Sequence, residues 1–314
     1  MITDIPSKED FDAVGSALLD QSWSMATALL LDLDEAKQWT DVEDVEEYWK
    51  SASIKMATAL SIAHQGAEFL IKGKIVAVSP YLLIANAPRE WPKADANGLI
   101  SFSKFRTIDA QDLIRLHDNA APVALSSDFA IAFESLRVRR NSIMHTVDRE
   151  LKIHVAELVE NILEINHSLM PGRDWVATRT EALQECPVAM IDGGGEWLEA
   201  QVRREFLAVK EILPPRAMKR FFGFDPKRRS YLCPTCSWDY KWDELEARTA
   251  LLEPNTPESE EIVCFVCKSN HSVVRVDCAE DECPGNVISL EYDRCLTCGG
   301  RQPATGEEET TDEQ

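Results

Sequence analysis

Eight closely spaced cysteines constrain the fold of this chain more than any other feature of its sequence. They form four short pairs within residues 233–298, and a ninth, Cys186, stands apart. Two residues between cysteines place both sulfurs on one side of a metal ion, and two such pairs complete a tetrahedral zinc site. In a cytosolic chain this clustering favours metal binding over disulfides. The sequence therefore predicts two Zn²⁺ ions, with the ligands Cys233, Cys236, Cys264, Cys267, Cys278, Cys283, Cys295 and Cys298.

The pairs can combine in more than one way. Sequential pairing gives two zinc ribbons, interleaved pairing gives a crossed arrangement, and His271 is an alternative ligand in place of one cysteine. Four cysteines leave no coordination position for water, so we expect both ions to stabilise the fold and to take no part in catalysis. Three aromatic residues follow the first pair and either pack the ribbon or stack on bases, namely Trp238, Tyr240 and Trp242.

Helical periodicity dominates the other half of the chain. A first helix is predicted over about 8–34, a second up to about Ile71, ended by Gly73 and later by Pro80, and a last one along Leu151–Leu169. Amphipathic helices with one apolar face each favour a bundle. The predicted fold class is mainly α, a helical bundle with a small C-terminal β module of four-cysteine zinc ribbons. The predicted regions are a bundle over 1–170, a helical joining segment over 171–230, tandem ribbons over 231–300 and an acidic disordered tail over 301–314.

The charge of the chain is uneven. The net charge is −21, which argues against a general nucleic-acid coat. Residues 203–229 reverse the sign with nine basic side chains against three acidic ones. This basic strip either contacts a polyanion or is a solvated helix face, and in the first case Lys227, Arg228 and Arg229 are candidate RNA-binding residues.

The first residues of the chain, Met1–Pro6, lack the features of a signal peptide, and no apolar run reaches the ~18 residues of a membrane helix. We therefore expect a soluble, cytoplasmic protein with no membrane partner.

One arginine breaks an apolar stripe. The apolar residues at helical spacing are Phe129, Phe133, Leu136, Ile143 and Val147, and the position that would complete this stripe is Arg140. A buried-face arginine is costly unless it is paired or lines a cleft. Asn141 follows directly and His145 five residues later, whereas the other histidines lie in ordinary contexts. RNA cleavage without a metal needs a proton carrier, which histidine supplies, and a fixed cation for the developing charge, which arginine supplies.

Alternatives to this site remain open. Arg140 can instead pair with a carboxylate such as Glu68 or Glu134, with His145 merely packing. On a straight helix Arg140 and His145 also lie about 140° apart, so one helix does not bring them together. Either the helix breaks near the motif, or two chains build a composite site. We favour the second reading, because a two-fold homodimer places both copies of a patch side by side.

The run Arg140-Asn141-Ser-Ile-Met-His145 resembles the R-x4-6-H signature of the HEPN superfamily, in which a polar residue, often asparagine, follows the arginine. The run Ile54–Ile75 also looks like the long helix that precedes this signature, and the resemblance covers about residues 8–170. It implies a dimeric, metal-independent endoribonuclease, often acting in host defence or as a toxin. The expected products carry 2′,3′-cyclic phosphate and 5′-hydroxyl ends.

The resemblance also implies roles for individual residues. Arg140 would stabilise the transition state, His145 would be the general acid or base, and Asn141 would orient them. Arg137 and Arg139, on the same helix, are added as candidate RNA-binding residues. A protein partner or antitoxin is a further expectation. However, toxins of this family that a nucleotidyltransferase silences carry tyrosine two residues after the histidine, where this chain has valine. That departure argues against control by such a modification.

A second function class remains beside the enzyme. In it the chain is a non-catalytic module whose helical dimer, ribbons and basic strip bind nucleic acid or a protein. A third reading, a regulatory subunit whose acidic ends mimic nucleic acid, rests on net charge alone.

Overall fold

The structure is a computed structural model, and it describes residues 1–39, 45–145, 153–192, 195–239 and 245–303. The chain divides into two compact units, Met1–Ala182 and Leu183–Gln314. It is mainly helical, with a small antiparallel sheet and clustered cysteines in the C-terminal part, as the predicted fold class requires. Among the described helices, none combines the length and apolar composition needed to cross a bilayer.

The first unit is built from long helices and two very short strands. Its elements are β1 (Ile2–Thr3), α1 (Lys8–Trp39), α2 (Val45–Ser51), α3 (Ser53–Val78), β2 (Ile100–Ser101), α4 (Ala110–Ala120), α5 (Ser127–His145), α6 (Val155–Leu169) and α7 (Trp175–Gln184), whose last two residues fall in the second unit. Strands β1 and β2 pair in parallel. Between α3 and β2 the chain forms short 3₁₀ turns at Pro80–Leu83 and Pro88–Glu90, and a third follows at Phe102–Lys104.

Helices α1 and α3 pack at unusually close range. A Cβ added to Gly66 would lie 3.0 Å from the carbonyl oxygen of Gly15, and one added to Gly15 would lie 2.7 Å from the Leu70 side chain. Ser22 also donates a hydrogen bond to the carbonyl of Ala59, at 2.7 Å. The prediction that Gly73 ends the second helix is wrong, because α3 continues to Val78. Gly73 has no side chain, which allows the same close contact with α1, and the helix continues through it.

The predicted apolar stripes of α5 and α6 face the core. Phe129, Phe133 and Leu136 are at most 1 % exposed. On α6, Leu158, Ile162, Ile165 and Leu169 are likewise buried, and Gly172 follows the helix end with a φ of +82°.

The second unit places short helices beside a five-stranded antiparallel sheet whose strands follow chain order. Its remaining elements are α8 (Pro187–Asp192), α9 (Gly195–Ile212), α10 (Pro215–Phe222), α11 (Pro234–Trp238), β3 (Ala250–Leu252), β4 (Glu261–Cys264), β5 (Asn270–Val274), β6 (Ile288–Ser289) and β7 (Arg294–Cys295).

Aromatic contacts join the helices of this unit to its sheet. Phe222 lies 5.5 Å from Phe206 of α9 and 5.7 Å from Phe265, which follows β4, while Phe224 lies 4.9 Å from Phe265 (ring centroids). Helices from the predicted joining segment over 171–230 therefore share a core with the cysteine-rich region. The predicted acidic tail begins at 301, and all of it beyond 303 lies outside the described residues.

Candidate functional site

The eight clustered cysteines form two separate groups that can each hold a metal ion. Within each group all four sulfurs lie within 4.8 Å of one another. The grouping is sequential, as two ribbons require, and the interleaved alternative is not what the chain forms. The first group is Cys233, Cys236, Cys264 and Cys267, and the second is Cys278, Cys283, Cys295 and Cys298.

The spacing of the sulfurs fits a tetrahedral thiolate site. The Sγ atoms of Cys233 and Cys267 are 3.5 Å apart, and those of Cys283 and Cys295 are 3.9 Å apart. A zinc–sulfur bond of ~2.3 Å in a regular tetrahedron separates sulfurs by about 3.8 Å. Backbone amides also point at the sulfurs, with Val266 N 3.3 Å from Cys264 Sγ. Such donors favour the thiolate, the form that binds a metal.

The two groups differ in their surroundings. Cys233 and Cys264 are fully buried, whereas Cys298 of the second group is exposed. The hydroxyl of Thr249 lies 3.1 Å from Cys264 Sγ and adds a polar contact deep in the first group. His271 is 3.9 Å from Cys233 Sγ and 3.2 Å from Thr235 Oγ1. The first group is complete without this histidine, so it borders the cysteines and replaces none of them.

The aromatic residue that follows the first pair packs within the second unit. The ring of Trp238 lies 5.6 Å from that of Tyr292, and the Arg294 guanidinium stacks over it at 5.1 Å. Trp238 therefore links the first cysteine group to the segment around β7. Tyr240 and Trp242, which were also predicted to pack or to stack on bases, lie outside the described residues.

Arg140 occupies the position on α5 that the apolar stripe predicts. It is half-buried, and its Nη1 donates a hydrogen bond to Asn141 Oδ1 at 3.2 Å. Neighbouring arginines have carboxylate partners. Arg137 binds Glu134 through two hydrogen bonds of 2.7 and 2.8 Å, and Arg139 binds Glu157 of α6 at 2.6 Å.

Within the described part of the chain, no carboxylate comes within 4.0 Å of Arg140. The alternative in which Glu134 neutralises it does not apply, because Glu134 is engaged by Arg137. Arg140 is therefore half-buried without an ion pair among the described residues, although its charge acts on Glu68, and such a cation is expensive to bury unless it has another use.

The other half of the predicted motif is described only in part. Helix α5 ends at His145, but the side chain of His145 lies outside the described residues. The structure therefore gives the surroundings of Arg140 and Asn141 and leaves the predicted role of His145 as a prediction.

The structure adds His64 to the residues that surround Arg140. His64 of α3 is 2 % exposed, and its ring stacks on that of Phe133, 5.1 Å away. Its Nδ1 is 3.9 Å from a carboxylate oxygen of Glu68, and its Nε2 is buried without a hydrogen-bond partner among the described residues. The sequence carries one signal for this, since His64 falls on the buried stripe of Leu60, Ala67 and Ile71.

The charge of Arg140 acts on both His64 and Glu68. The pKa of His64 is lowered to about 4, mainly by burial and in addition by the charges of Arg140 and Arg137, against a smaller opposite effect of Glu134. Burial raises the pKa of Glu68, while Lys72 and Arg140 oppose that rise. His64 is therefore neutral at physiological pH, and its contact with Glu68 is not an ion pair.

The predicted basic strip is only partly available to a ligand. Arg203 is 1 % exposed and donates to the carbonyl oxygen of Cys236 at 2.5 Å, so it is part of the core. Arg228 binds Glu253 at 2.6 Å and also donates to the Leu252 carbonyl. Arg229 donates to Thr297 Oγ1 at 3.1 Å, and Lys227 is exposed. Of the candidate RNA-binding triplet, Arg228 is thus the most firmly committed to the fold.

No family model, no curated protein and no solved structure matches this chain.

Proposed function

We propose that this chain is an endoribonuclease that cleaves RNA without a catalytic metal, in a defence or toxin role. The observation that carries the proposal is Arg140, a half-buried arginine on an otherwise apolar stripe, with Asn141 beside it and no described carboxylate within 4.0 Å. A guanidinium with no described carboxylate within 4.0 Å can stabilise the negative charge that develops in the transition state. The HEPN-like motif supplies the remaining assignment.

In the proposed reaction, the ribose 2′-oxygen attacks the adjacent phosphorus and the bond from phosphorus to the 5′-oxygen breaks. A base removes the proton of the 2′-hydroxyl, and an acid returns a proton to the departing 5′-oxygen. His145, at the end of α5, is assigned to proton transfer, Arg140 to the phosphoryl oxygens, and Asn141 to orienting the arginine. The products have 2′,3′-cyclic phosphate and 5′-hydroxyl ends.

Both cysteine groups are assigned to zinc. Four sulfurs at tetrahedral spacing are the donor set that structural zinc prefers. Zinc bound there supplies folding free energy, and the cleavage reaction is assigned entirely to side chains of the first unit.

The active form is proposed to be a homodimer that packs through α5. Ile131 and Val138 are 70 % and 53 % exposed. Positions 131, 138 and 145 are spaced by seven, so they share one stripe of the helix. A second copy packed in parallel on this stripe would cover the two apolar side chains and bring both 145 positions together. Ile131→Glu with Val138→Glu is expected to yield a monomer in sedimentation equilibrium and to abolish cleavage, while an unchanged dimer would exclude this face.

The test of the activity uses matched pairs of variants. Arg140→Ala and His145→Ala are expected to lower the cleavage of total cellular RNA by at least about 100-fold. Arg173→Ala and His154→Ala serve as controls, because Arg173 is an exposed residue paired with Glu181 and His154 is an exposed residue before α6. Cleavage is followed in EDTA with zinc-loaded protein whose metal content is checked afterwards. Mapped ends should carry cyclic phosphate.

Cleavage that survives in both Arg140→Ala and His145→Ala, or that disappears when only free divalent ions are chelated, contradicts the proposal. The alternative is a binding module without activity, and the exposure of Lys227 and the single side-chain hydrogen bond of Arg229 favour it. It predicts RNA binding without cleavage. Its salt dependence should weaken when Lys227 and Arg229 are both changed to glutamate, and an unchanged slope would remove the triplet as a phosphate contact.

A further inference from the structure

The interface between α3 and α5 contains a buried polar group that neither the zinc groups nor the proposed reaction uses. His64 is 2 % exposed, and its Nε2 has no hydrogen-bond partner among the described residues. A buried polar atom without a partner costs free energy and calls for a physical explanation. A purely structural histidine would find a partner, as His117 of α4 does: it is similarly buried, at 5 % exposure, and its Nδ1 lies 2.9 Å from Asp118 Oδ1.

The surroundings fix the ring of His64. Phe133 stacks on it at 5.1 Å with an angle of 25° between the planes. The Glu68 carboxylate, 3.9 Å from Nδ1, favours the tautomer that carries its proton on Nδ1. In that tautomer Nε2 is a hydrogen-bond acceptor, buried and held in one orientation.

A donor with spare capacity lies on the same interface. Arg140 is two helical turns from Phe133 along the buried stripe of α5. Among the described residues, only Asn141 accepts a hydrogen bond from one of its five N–H groups. Its charge is the strongest single charge acting on His64.

We propose that His64 is a positioning residue for Arg140, whose guanidinium donates a hydrogen bond to Nε2 both in the free protein and when RNA is bound. The imidazole acts in its neutral form, so it accepts a hydrogen bond without adding a second positive charge beside the arginine. Glu68 and Phe133 orient the ring, and Asn141 is the second acceptor that orients the guanidinium. The assignment of a catalytic effect rests on the proposed nuclease function, whereas the contact itself does not.

The contact is tested without RNA by NMR of the arginine Nε–Hε groups in the zinc-loaded full chain, with the Arg140 signal identified by its loss in Arg140→Lys. His64→Phe keeps the ring stacking and removes both nitrogens, and His64→Gln keeps an acceptor near the Nε2 position. His117→Phe is the matched control. We expect the Arg140 signal to shift and broaden in His64→Phe and to return toward its parent position in His64→Gln. In His117→Phe it should stay in place. A signal that does not move in His64→Phe overturns the proposal.

The same variants separate positioning from stability. His64→Phe removes an unpartnered polar atom, so its Tm should equal or exceed that of the parent, whereas its cleavage rate should fall by about 10- to 100-fold with little change in KM. His64→Gln should recover most of the rate. A rate loss in His64→Phe that tracks a loss of Tm, without recovery in His64→Gln, would assign His64 to the fold and overturn the proposal. If His64→Phe does not fold, His64→Met replaces it.

If Arg140→Ala cleaves RNA at the parent rate, the proposed function fails, and the NMR result still tests the hydrogen bond between Arg140 and His64. If Arg140→Ala is inactive and the Arg140 signal is the same in His64→Phe and parent, the function stands and this inference fails.

Discussion

The first unit buries long apolar helix faces against one another, whereas the second gathers strands of two to five residues around two groups of four sulfurs. In the first, most buried side chains are apolar, and His64 Nε2 is a buried polar atom without a hydrogen-bond partner among the described residues. In the second, the cysteine groups and the amides that contact them lie beside a core of aromatic side chains. The comparison shows where each unit is sensitive: the second to loss of a ligand, and the first to a change in helix contact or in the charge around His64.

The largest expected effect is the loss of a buried sulfur from the second unit. Cys264→Ser removes a fully buried ligand of the first group, and structural zinc contributes on the order of 10 kcal/mol to such modules. We expect zinc analysis to show loss of that ion, and hydrogen exchange to show loss of protection along β3–β5. Helices α1 and α3 should keep their protection. Protected strands in a variant without this zinc would contradict the stabilising role of the metal.

Cys298→Ser is the matched comparison within the same unit. Cys298 is exposed, so a water molecule can take its place with little rearrangement. The variant should bind the second ion more weakly and keep protection in β4, which carries Cys264.

The sequence predicts the cysteine ligands of the second unit better than it predicts the helix contacts of the first unit. The cysteine groups follow from local spacing, because two to four residues between paired ligands bring both sulfurs to one ion whatever the rest of the chain does. The stripes of α5 and α6, and the place of Arg140 on the first of them, follow from helical periodicity. Gly73 is misread because its role depends on α1, more than 60 residues away. His64 is overlooked because the lack of a hydrogen-bond partner for its Nε2 follows from the packing of α3 against α5, which the sequence does not show.

The second prediction concerns the pH dependence of the first unit. In the unfolded chain His64 takes up a proton near its ordinary pKa of 6.5, whereas in the folded chain burial lowers this pKa to about 4. Between those values the unfolded state binds more protons, so the free energy of unfolding is highest above pH 6.5 and falls as the pH drops towards 4. The full difference is about 3 kcal/mol, of which roughly 2 kcal/mol is lost between pH 7 and pH 5.

His64→Phe lacks this proton uptake and should lose less stability on acidification. Urea unfolding of the parent and the variant at both pH values measures the difference, and groups such as Glu68 titrate in both proteins and largely cancel. Equal losses in the free energy of unfolding of the two proteins would show that the fold does not hold His64 neutral. The difference drawn between His64 and His117 would then not hold.

The smallest expected effect concerns the close contact of α1 with α3. In Gly66→Ala the added Cβ would lie 3.0 Å from the Gly15 carbonyl oxygen and 3.1 Å from the Leu19 side chain, so two helix backbones have to separate. Overpacking of this kind costs about 1–3 kcal/mol, and the better helix propensity of alanine returns up to about 1 kcal/mol. The expected net loss is therefore about 1 kcal/mol, measured by urea unfolding at pH 7.

Gly195→Ala is the control, because a Cβ at the start of α9 meets nothing within 4 Å and should leave stability unchanged or slightly higher. Since α3 carries both Gly66 and His64, a displaced α3 also changes the distance between His64 and α5. If His64 positions Arg140, Gly66→Ala should therefore lower the cleavage rate by more than its small loss of stability accounts for. A variant that is destabilised but cleaves RNA at the parent rate would show that the packing of α1 against α3 does not affect how His64 positions Arg140.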